Sequence, residues 1–284
     1  MPVRWLVTGA RGMLGQDLVE RLGRDGHDVI GIDREEADVT DLGAMRDATR
    51  GCDVVVNCAA WTAVDPAEEH EADAFWVNAV GAATVARAAA AAGARVVQIS
   101  TDYVFDGAAS APYAEQEPIR PQSAYGRTKA AGEWAVRAEA PNHLIVRTAW
   151  LYGAHGGCFP RTIARLAHER SLDVVDDQRG QPTWTVDLAD LVVRMVGAQV
   201  PSGTYHGTSS GIASWFEFAR AVVGAAGLDP ELVRPTSSEG AQRAARRPAY
   251  SALGHDALAA AGVAPIGMWQ ERWQVAAPAV LAGL

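Results

Sequence analysis

The sequence predicts an α/β protein built on a doubly wound parallel sheet, with a smaller C-terminal part. Three observations carry that reading. Through the first 150 residues short β-rich runs alternate with helical stretches, and a glycine-rich turn joins the first run to the first helix. The chain of 284 residues is 49% hydrophobic and 21% charged, which is globular composition with enough apolar material for a sizeable core. Strand, helix, strand in repetition calls for parallel pairing through right-handed crossovers, and so for a sheet covered by helices on both faces.

Taken in order, the strand runs fall at residues 4–8, 28–32, 53–57, 95–100 and 143–147. Helical stretches at 13–24, 41–50, 72–92 and 124–140 separate them. The alanine-rich segment 82–92 reads as a close-packed buried helix, since alanine is the best helix former. Beyond residue 150 the alternation loosens. Helices are expected at 159–169, 185–195 and 215–225, between Gly- and Pro-containing loops at 178–183, 207–211 and 246–251 that read as a cap.

Lys and Arg number 25 against 34 Asp and Glu, a net charge of −9, which argues against a nucleic-acid partner. Cys52, Cys58 and Cys158 are too few and too scattered for a disulfide framework or a metal knuckle, and a reducing compartment fits them. The start of the chain runs directly into an apolar strand without the features of a signal peptide. The weakly polar stretch 81–97 is interrupted by Arg87 and Arg95, so no membrane partner is expected and the protein reads as cytoplasmic.

The first strand ends in Thr8-Gly9-Ala10-Arg11-Gly12-Met13-Leu14-Gly15, a GxxGxxG spacing that opens a helix. Such a turn lets backbone N–H groups approach a pyrophosphate where the helix dipole favours an anion, so Gly9, Arg11, Gly12, Met13, Leu14 and Gly15 are candidate cofactor contacts. Asp33 stands 18 residues beyond the last glycine, at the end of the second strand, where a carboxylate reads a ribose 2′-hydroxyl. Its neighbour Arg34 suits a 2′-phosphate, or is a solvated surface cation; NADH and NADPH both stay open. Asp38 and Val39 border the adenine, or Asp38 caps the second helix. In Asn57-Cys58-Ala59-Ala60-Trp61-Thr62 the small Ala59 and Ala60 let the chain pass close to a cofactor, or simply pack.

The decisive group is Ser100-Thr101-Asp102-Tyr103 at the end of the fourth strand, with Tyr125 and Lys129 four residues apart on one helical face. A phenol is a reluctant proton donor near neutrality, but an adjacent ammonium stabilises the phenolate and brings it into range. Tyr125 is then a general acid toward a carbonyl oxygen, Lys129 a grip on the nicotinamide ribose, and Thr101 a second hydrogen bond to that oxygen. This is hydride-transfer chemistry.

These residues resemble the extended short-chain dehydrogenase/reductases, and within them the dTDP-4-dehydrorhamnose reductase family, over nearly the whole chain. The matching stretches are TGARGMLGQDL from Thr8, NCAAWTAVDPAE from Asn57, STDYVFDG from Ser100, YGRTKAAGE from Tyr125, RTAWLYG from Arg147 and DQRGQPTW from Asp177. The resemblance implies a Rossmann-type dinucleotide domain over residues 1–150 and a mainly substrate-binding cap over 151–284, some of whose segments return to the sheet. It implies Thr101, Tyr125 and Lys129 as the catalytic set. It adds Thr62 and Asn78 to the cofactor site, though a buried structural amide would look the same as Asn78, and it lines the sugar site with Asp102, Tyr103 and Trp150, the last of which could equally be a core tryptophan. Arg247, in a substrate-domain loop, is expected to pair with the nucleotide diphosphate or to be a surface arginine. Some relatives hold magnesium at a subunit contact through glutamates; here Gln16-Asp17 follows the turn, and no metal is expected. A homodimer stays open.

The activity so implied is reduction, by NADPH or NADH, of the 4-keto group of dTDP-4-dehydro-6-deoxy-L-mannose to dTDP-L-rhamnose. Another nucleotide 4-keto-6-deoxyhexose reductase would carry the same residues. A dehydratase or epimerase places an acid after the Asp of the fourth-strand loop, where this chain has Tyr103. A regulatory subunit resembling that of methionine adenosyltransferase would lack the Tyr and Lys pair.

Overall fold

The computed structural model describes residues 3–239 and 243–284. β1 (Arg4–Thr8) turns through the glycines into α1 (Met13–Arg24), followed by β2 (Asp28–Ile32), α2 (Leu42–Ala48) and β3 (Val54–Asn57). The chain continues through α3 (Val64–Glu69), α4 (Glu71–Phe75), a π-helical turn Trp76–Gly81 and α5 (Ala82–Ala91). It then forms β4 (Arg95–Thr101), α6 (Ala124–Glu139) and β5 (His143–Thr148). In space the strands run β2, β1, β3, β4, β5, all parallel, and a sixth, Gly203–His206, adds in parallel beside β5.

Alternate residues along each strand face opposite layers, and the two layers are filled by different helices. On one side Trp5, Val7, Val54, Val56, Val97 and Val146 pack against Leu14, Leu18 and Leu22 of α1 and Leu188, Leu191 and Val192 of the helix Thr185–Gly197. On the other side Leu6, Val55, Val96 and Ile145 pack against Met45, Val85, Ala86, Ala89 and Val136. Each fully buried Leu or Val stabilises the fold by about 1.5–3 kcal/mol. A third core, around Phe218, Trp269 and Trp273, belongs to the C-terminal part, where Leu172–Val175 pairs in parallel with Val233–Thr236.

The five strands and the helices of the first half lie where the alternation puts them. Of the differences, three bear on the site or the sheet. The stretch read as one helix over 72–92 is broken by the π turn, whose extra residue per turn re-aims Asn78. The sixth strand has the sequence Gly-Thr-Tyr-His, with no apolar run to announce it. The terminal helix Trp269–Val280 was not foreseen either; it carries Pro278 inside it. By length and composition Glu71–Ala91 could span a membrane; in the fold, Ala82, Val85, Ala86 and Ala89 of that segment are buried in the second layer.

Candidate active site

The six parallel strands of the main sheet deliver their carboxyl ends to one edge. Thr8 lies opposite Ile32 and Asn57, and Thr101 opposite Thr148, so the loops that follow share one crevice, the place where open α/β sheets bind ligands. A cleft of about 1120 Å³ runs along that edge. Gly9, Arg11, Gly12, Met13, Leu14, Gly15, Asp33, Arg34, Asp38, Val39, Ala59, Ala60, Thr62, Thr101, Asp102, Tyr103, Tyr125, Lys129 and Trp150 all line it. Asn78 and Arg247 are not among the lining residues.

The glycine turn fits a pyrophosphate. Gly9 has φ +65°, and a Cβ there would meet Ala59 N at 2.8 Å; one on Gly15 would overlap the Gly9 carbonyl oxygen. No side chain caps α1, so the first N–H groups of the helix face the cleft unclaimed. Asp33 is held by two backbone donors, Arg11 N at 3.1 Å and Arg34 N at 2.8 Å, which fix its carboxylate at the cleft rim. The Arg11 guanidinium turns away to Glu35, at 2.6 Å, and to Glu36. Asp38 does not cap the second helix. Its carboxylate takes the Thr40 N–H and hydroxyl, and those bonds hold its pKa below the usual carboxylate value, while Asp41 caps α2 through Gly43 N at 2.7 Å.

At the other end of the cleft the start of α6 is pressed onto the β4 loop. A Cβ on Gly126 would overlap the Tyr103 carbonyl oxygen, so the glycine between Tyr125 and Arg127 is what allows the approach. Ser123 caps the helix through Gly126 N at 3.1 Å, and the Tyr103 and Tyr125 rings meet edge to face at 5.5 Å. Lys129 donates to the Ile99 carbonyl at 2.7 Å. Burial pulls the Lys129 ammonium down to about 8, with Glu133 opposing. Burial likewise pushes the Tyr125 phenol up to about 12, against the Thr101 hydroxyl. The expected effect of the ammonium on the phenol is thus not what governs Tyr125 here: desolvation does, and it keeps the phenol protonated. Burial also raises the Cys58 thiol to about 12.

Two placements bear on readings that the sequence left open. Asn78 lies behind the cleft wall with its amide spent: its Oδ1 accepts Trp61 N at 2.9 Å and its Nδ2 donates to Trp61 O and Thr128 Oγ1 at 3.1 and 3.0 Å. It holds the loop carrying Ala59 and Ala60. Arg247 is half-buried and tied to Asp65 at 2.8 Å, and its charge acts on Tyr103 at the cleft. Trp150 is at the cleft but in a left-handed backbone conformation, φ 48°, with one indole face stacked on Trp215 at 3.5 Å. A Cβ on Gly180 would sit 2.5 Å from that indole, so the glycine makes room for it.

Beneath the site lies a buried ion pair that the sequence reading did not single out. Glu133, one helical turn after Lys129, accepts Arg147 Nε at 2.9 Å and Nη2 at 2.8 Å, Ser100 Oγ at 2.6 Å and Arg137 Nη2 at 3.0 Å. Burial works against its charge, but these partners win and its pKa is lowered. The i, i+4 spacing to Lys129 was the available signal. Trp215 left none, being distant in sequence from Trp150. Asp17, Glu20 and His155 also bring one ligand atom each within 4.8 Å, a cluster not anticipated when no metal was expected.

The parallel sheet and the cleft at its carboxyl edge define a dinucleotide-binding oxidoreductase of the short-chain dehydrogenase/reductase type. Within that class the chain belongs to the family described as RmlD substrate binding domain, whose model matches residues 3–280. It is 49% identical over 95% of its length, and 94% of the relative's, to a dTDP-4-keto-6-deoxy-D-glucose reductase of Streptomyces niveus. It is 46% identical over 98% of its length, and 94% of the relative's, to a dTDP-4-dehydrorhamnose reductase of Streptomyces griseus. A Bacillus anthracis dTDP-4-dehydrorhamnose reductase crystallised with NADP superposes with a TM-score of 0.93 at 37% identity, covering 97% of this chain and 99% of that one.

Proposed function

We propose that this chain is an NAD(P)H-dependent reductase of dTDP-4-keto-6-deoxy sugars, and that its substrate is dTDP-4-dehydro-6-deoxy-L-mannose, reduced at C4 to dTDP-L-rhamnose. The observation that supports the reading is one continuous cleft, open to the uncapped start of α1 at one end and walled by Tyr125, Thr101 and Lys129 at the other. Bound NAD(P)H supplies the hydride.

The chain's own residues do the rest. The free N–H groups at the start of α1 take the pyrophosphate, and Asp33 takes a ribose hydroxyl. Arg34 answers a 2′-phosphate where there is one, so both dinucleotides are accepted. Lys129 spends one of its three donors on Ile99 and offers the others to the second ribose. Tyr125, kept neutral by burial, gives its proton to the C4 oxygen. Tyr103 follows Asp102 where a dehydratase would place a second acid, which favours simple reduction.

The S. niveus relative, at 49% identity, supports a second reading in which the 3,5-epimerised sugar is not required. The experiment supplies dTDP-4-keto-6-deoxyglucose and NADPH with and without a 3,5-epimerase and identifies the product by NMR. Rhamnose formed only with the epimerase supports the first reading, and a 6-deoxy-D-hexose without it the second. No dinucleotide consumed in either arm overturns both.

A further inference from the structure

The contacts of Thr101 leave its hydroxyl without a proton for a ketone. A ketone oxygen only accepts, so Thr101 holds it only by donating. In the structure Thr101 Oγ1 accepts the Tyr103 N–H at 3.2 Å and donates to Asp102 Oδ1 at 2.9 Å. The Tyr125 phenol also faces the Thr101 hydroxyl. A carboxylate has no proton to give and is a stronger acceptor than a phenol, so the single Thr101 proton goes to Asp102 for as long as Asp102 is ionised.

Asp102 is badly placed to stay ionised. It is 3% exposed, and its Oδ2 is buried without a hydrogen-bond partner. Among the described residues no ion pair reaches it. The groups that face it are Tyr125 from α6, Tyr103 and the backbone N–H groups of its own turn, and the Ser251 hydroxyl from the C-terminal loop; Arg247 of that loop acts on Tyr103. Neutral hydrogen bonds from Thr101, Ser251 and the local backbone offset part of the cost of burying that charge, with no cation to offset the rest, and a neutral acid in the same place costs much less.

We propose that Asp102 is a positioning residue which, in its neutral form, donates to Thr101 and so frees the Thr101 proton for the C4 oxygen of the substrate. The inference rests on the reductase reading above. No bond is made or broken: the Asp102 O–H points to Thr101 Oγ1, and the Thr101 O–H turns from Asp102 to the ketone. Burial already holds the Asp102 carboxyl up at about 6, against the pull of the Ser251 and Thr101 hydroxyls. A bound ketone pairs only with the neutral form and therefore raises that value further in the complex. The alcohol product carries a proton of its own and is accepted by the ionised form, so the two charge states discriminate ketone from alcohol.

The test is the pH dependence of NADPH consumption with a dTDP-4-keto-6-deoxy sugar for the wild type, Asp102→Asn and Thr101→Val. Wild-type kcat/KM is expected to fall as pH rises through about 6, toward the level of Thr101→Val, with the corresponding limb of kcat displaced to higher pH. Asp102→Asn, whose amide donates to Thr101 at any pH, loses this limb and keeps the one Lys129 contributes near 8; Thr101→Val loses it too. NADP⁺ affinity, read by tryptophan quenching, checks that each variant is folded. A wild-type limb near 6 surviving in either folded variant overturns the proposal. Should Asp102→Asn fail to bind NADP⁺, the Thr101→Val profile decides alone. A wild type that turns over no dTDP-4-keto sugar sinks the reductase reading instead.

Discussion

Replacing Glu133 by glutamine keeps the shape of the side chain and removes its charge, which isolates what the buried ion pair contributes. Glu133 is fully buried and Arg147 is 2% exposed, so solvent does little to screen the change. The substitution leaves the Arg147 guanidinium in the interior with no carboxylate against it, because its remaining contacts are neutral: the Glu115 carbonyl at 3.2 Å, His206 Nε2 at 3.5 Å and the face of Phe105 at 4.9 Å. Breaking a buried pair from one side costs about 3–5 kcal/mol, a large share of the roughly 5–15 kcal/mol that holds a domain together. At an m-value of about 3 kcal/mol per molar urea this lowers the unfolding midpoint by about 1–2 M. The assay is urea unfolding followed by far-UV circular dichroism. Glu133→Leu combined with Arg147→Met removes both charges and is expected to regain most of the loss. There is a second readout in the active site. Glu133 opposes the burial that lowers Lys129, so the variant moves the Lys129 ammonium further below about 8, and the loss of activity with rising pH begins earlier. A Glu133→Gln protein within about 1 kcal/mol of the wild type would refute the reasoning, since an uncompensated buried guanidinium cannot be that cheap.

Tyr125→Phe is expected to lower turnover by roughly 10²–10⁴ with NADP⁺ affinity unchanged, checked by steady-state kinetics and fluorescence quenching. Gly15→Ala puts a methyl group onto the Gly9 carbonyl and is expected to abolish dinucleotide binding by calorimetry while α1 still forms. Trp215→Leu removes the ring stacked on Trp150; KM for the dTDP-sugar is expected to rise several-fold with little change in that for NADPH. Leu18→Ala, at a site with no exposure, is expected to cost about 2–5 kcal/mol in urea unfolding.

The first five strands of the sheet were legible because they are short apolar runs and the helices between them are set off by glycines and polar turns; β1 and β2 end where those patterns end. The cofactor end of the cleft was legible for a related reason. Backbone geometry builds it, and only glycine tolerates that geometry, so Gly9 and Gly15 advertise it in the sequence. The parts that stayed hidden depend on tertiary partners. Nothing in residues 203–206 says that they join β5, since a short polar segment becomes an edge strand only when an edge is offered. Asn78 carries the residue type of a catalytic neighbour, but the π turn aims it at Trp61. Arg247 has the charge for a diphosphate, but its partner Asp65 lies 182 residues away in sequence, beyond any local pattern. The direction of the Thr101 hydrogen bond depends on the charge of Asp102, which no spacing encodes.

The late arrival of the sixth strand bears on how the chain is made. By the time β5 leaves the ribosome, the edge it offers has no neighbour, and one face of the nascent sheet still waits for Leu188, Leu191 and Val192. During that interval an open row of peptide groups and a bare apolar surface stand together, the combination that recruits stray strands from other molecules. A fragment released at residue 150 would carry both hazards permanently, and is expected to precipitate or to be captured by chaperones rather than bind dinucleotide alone.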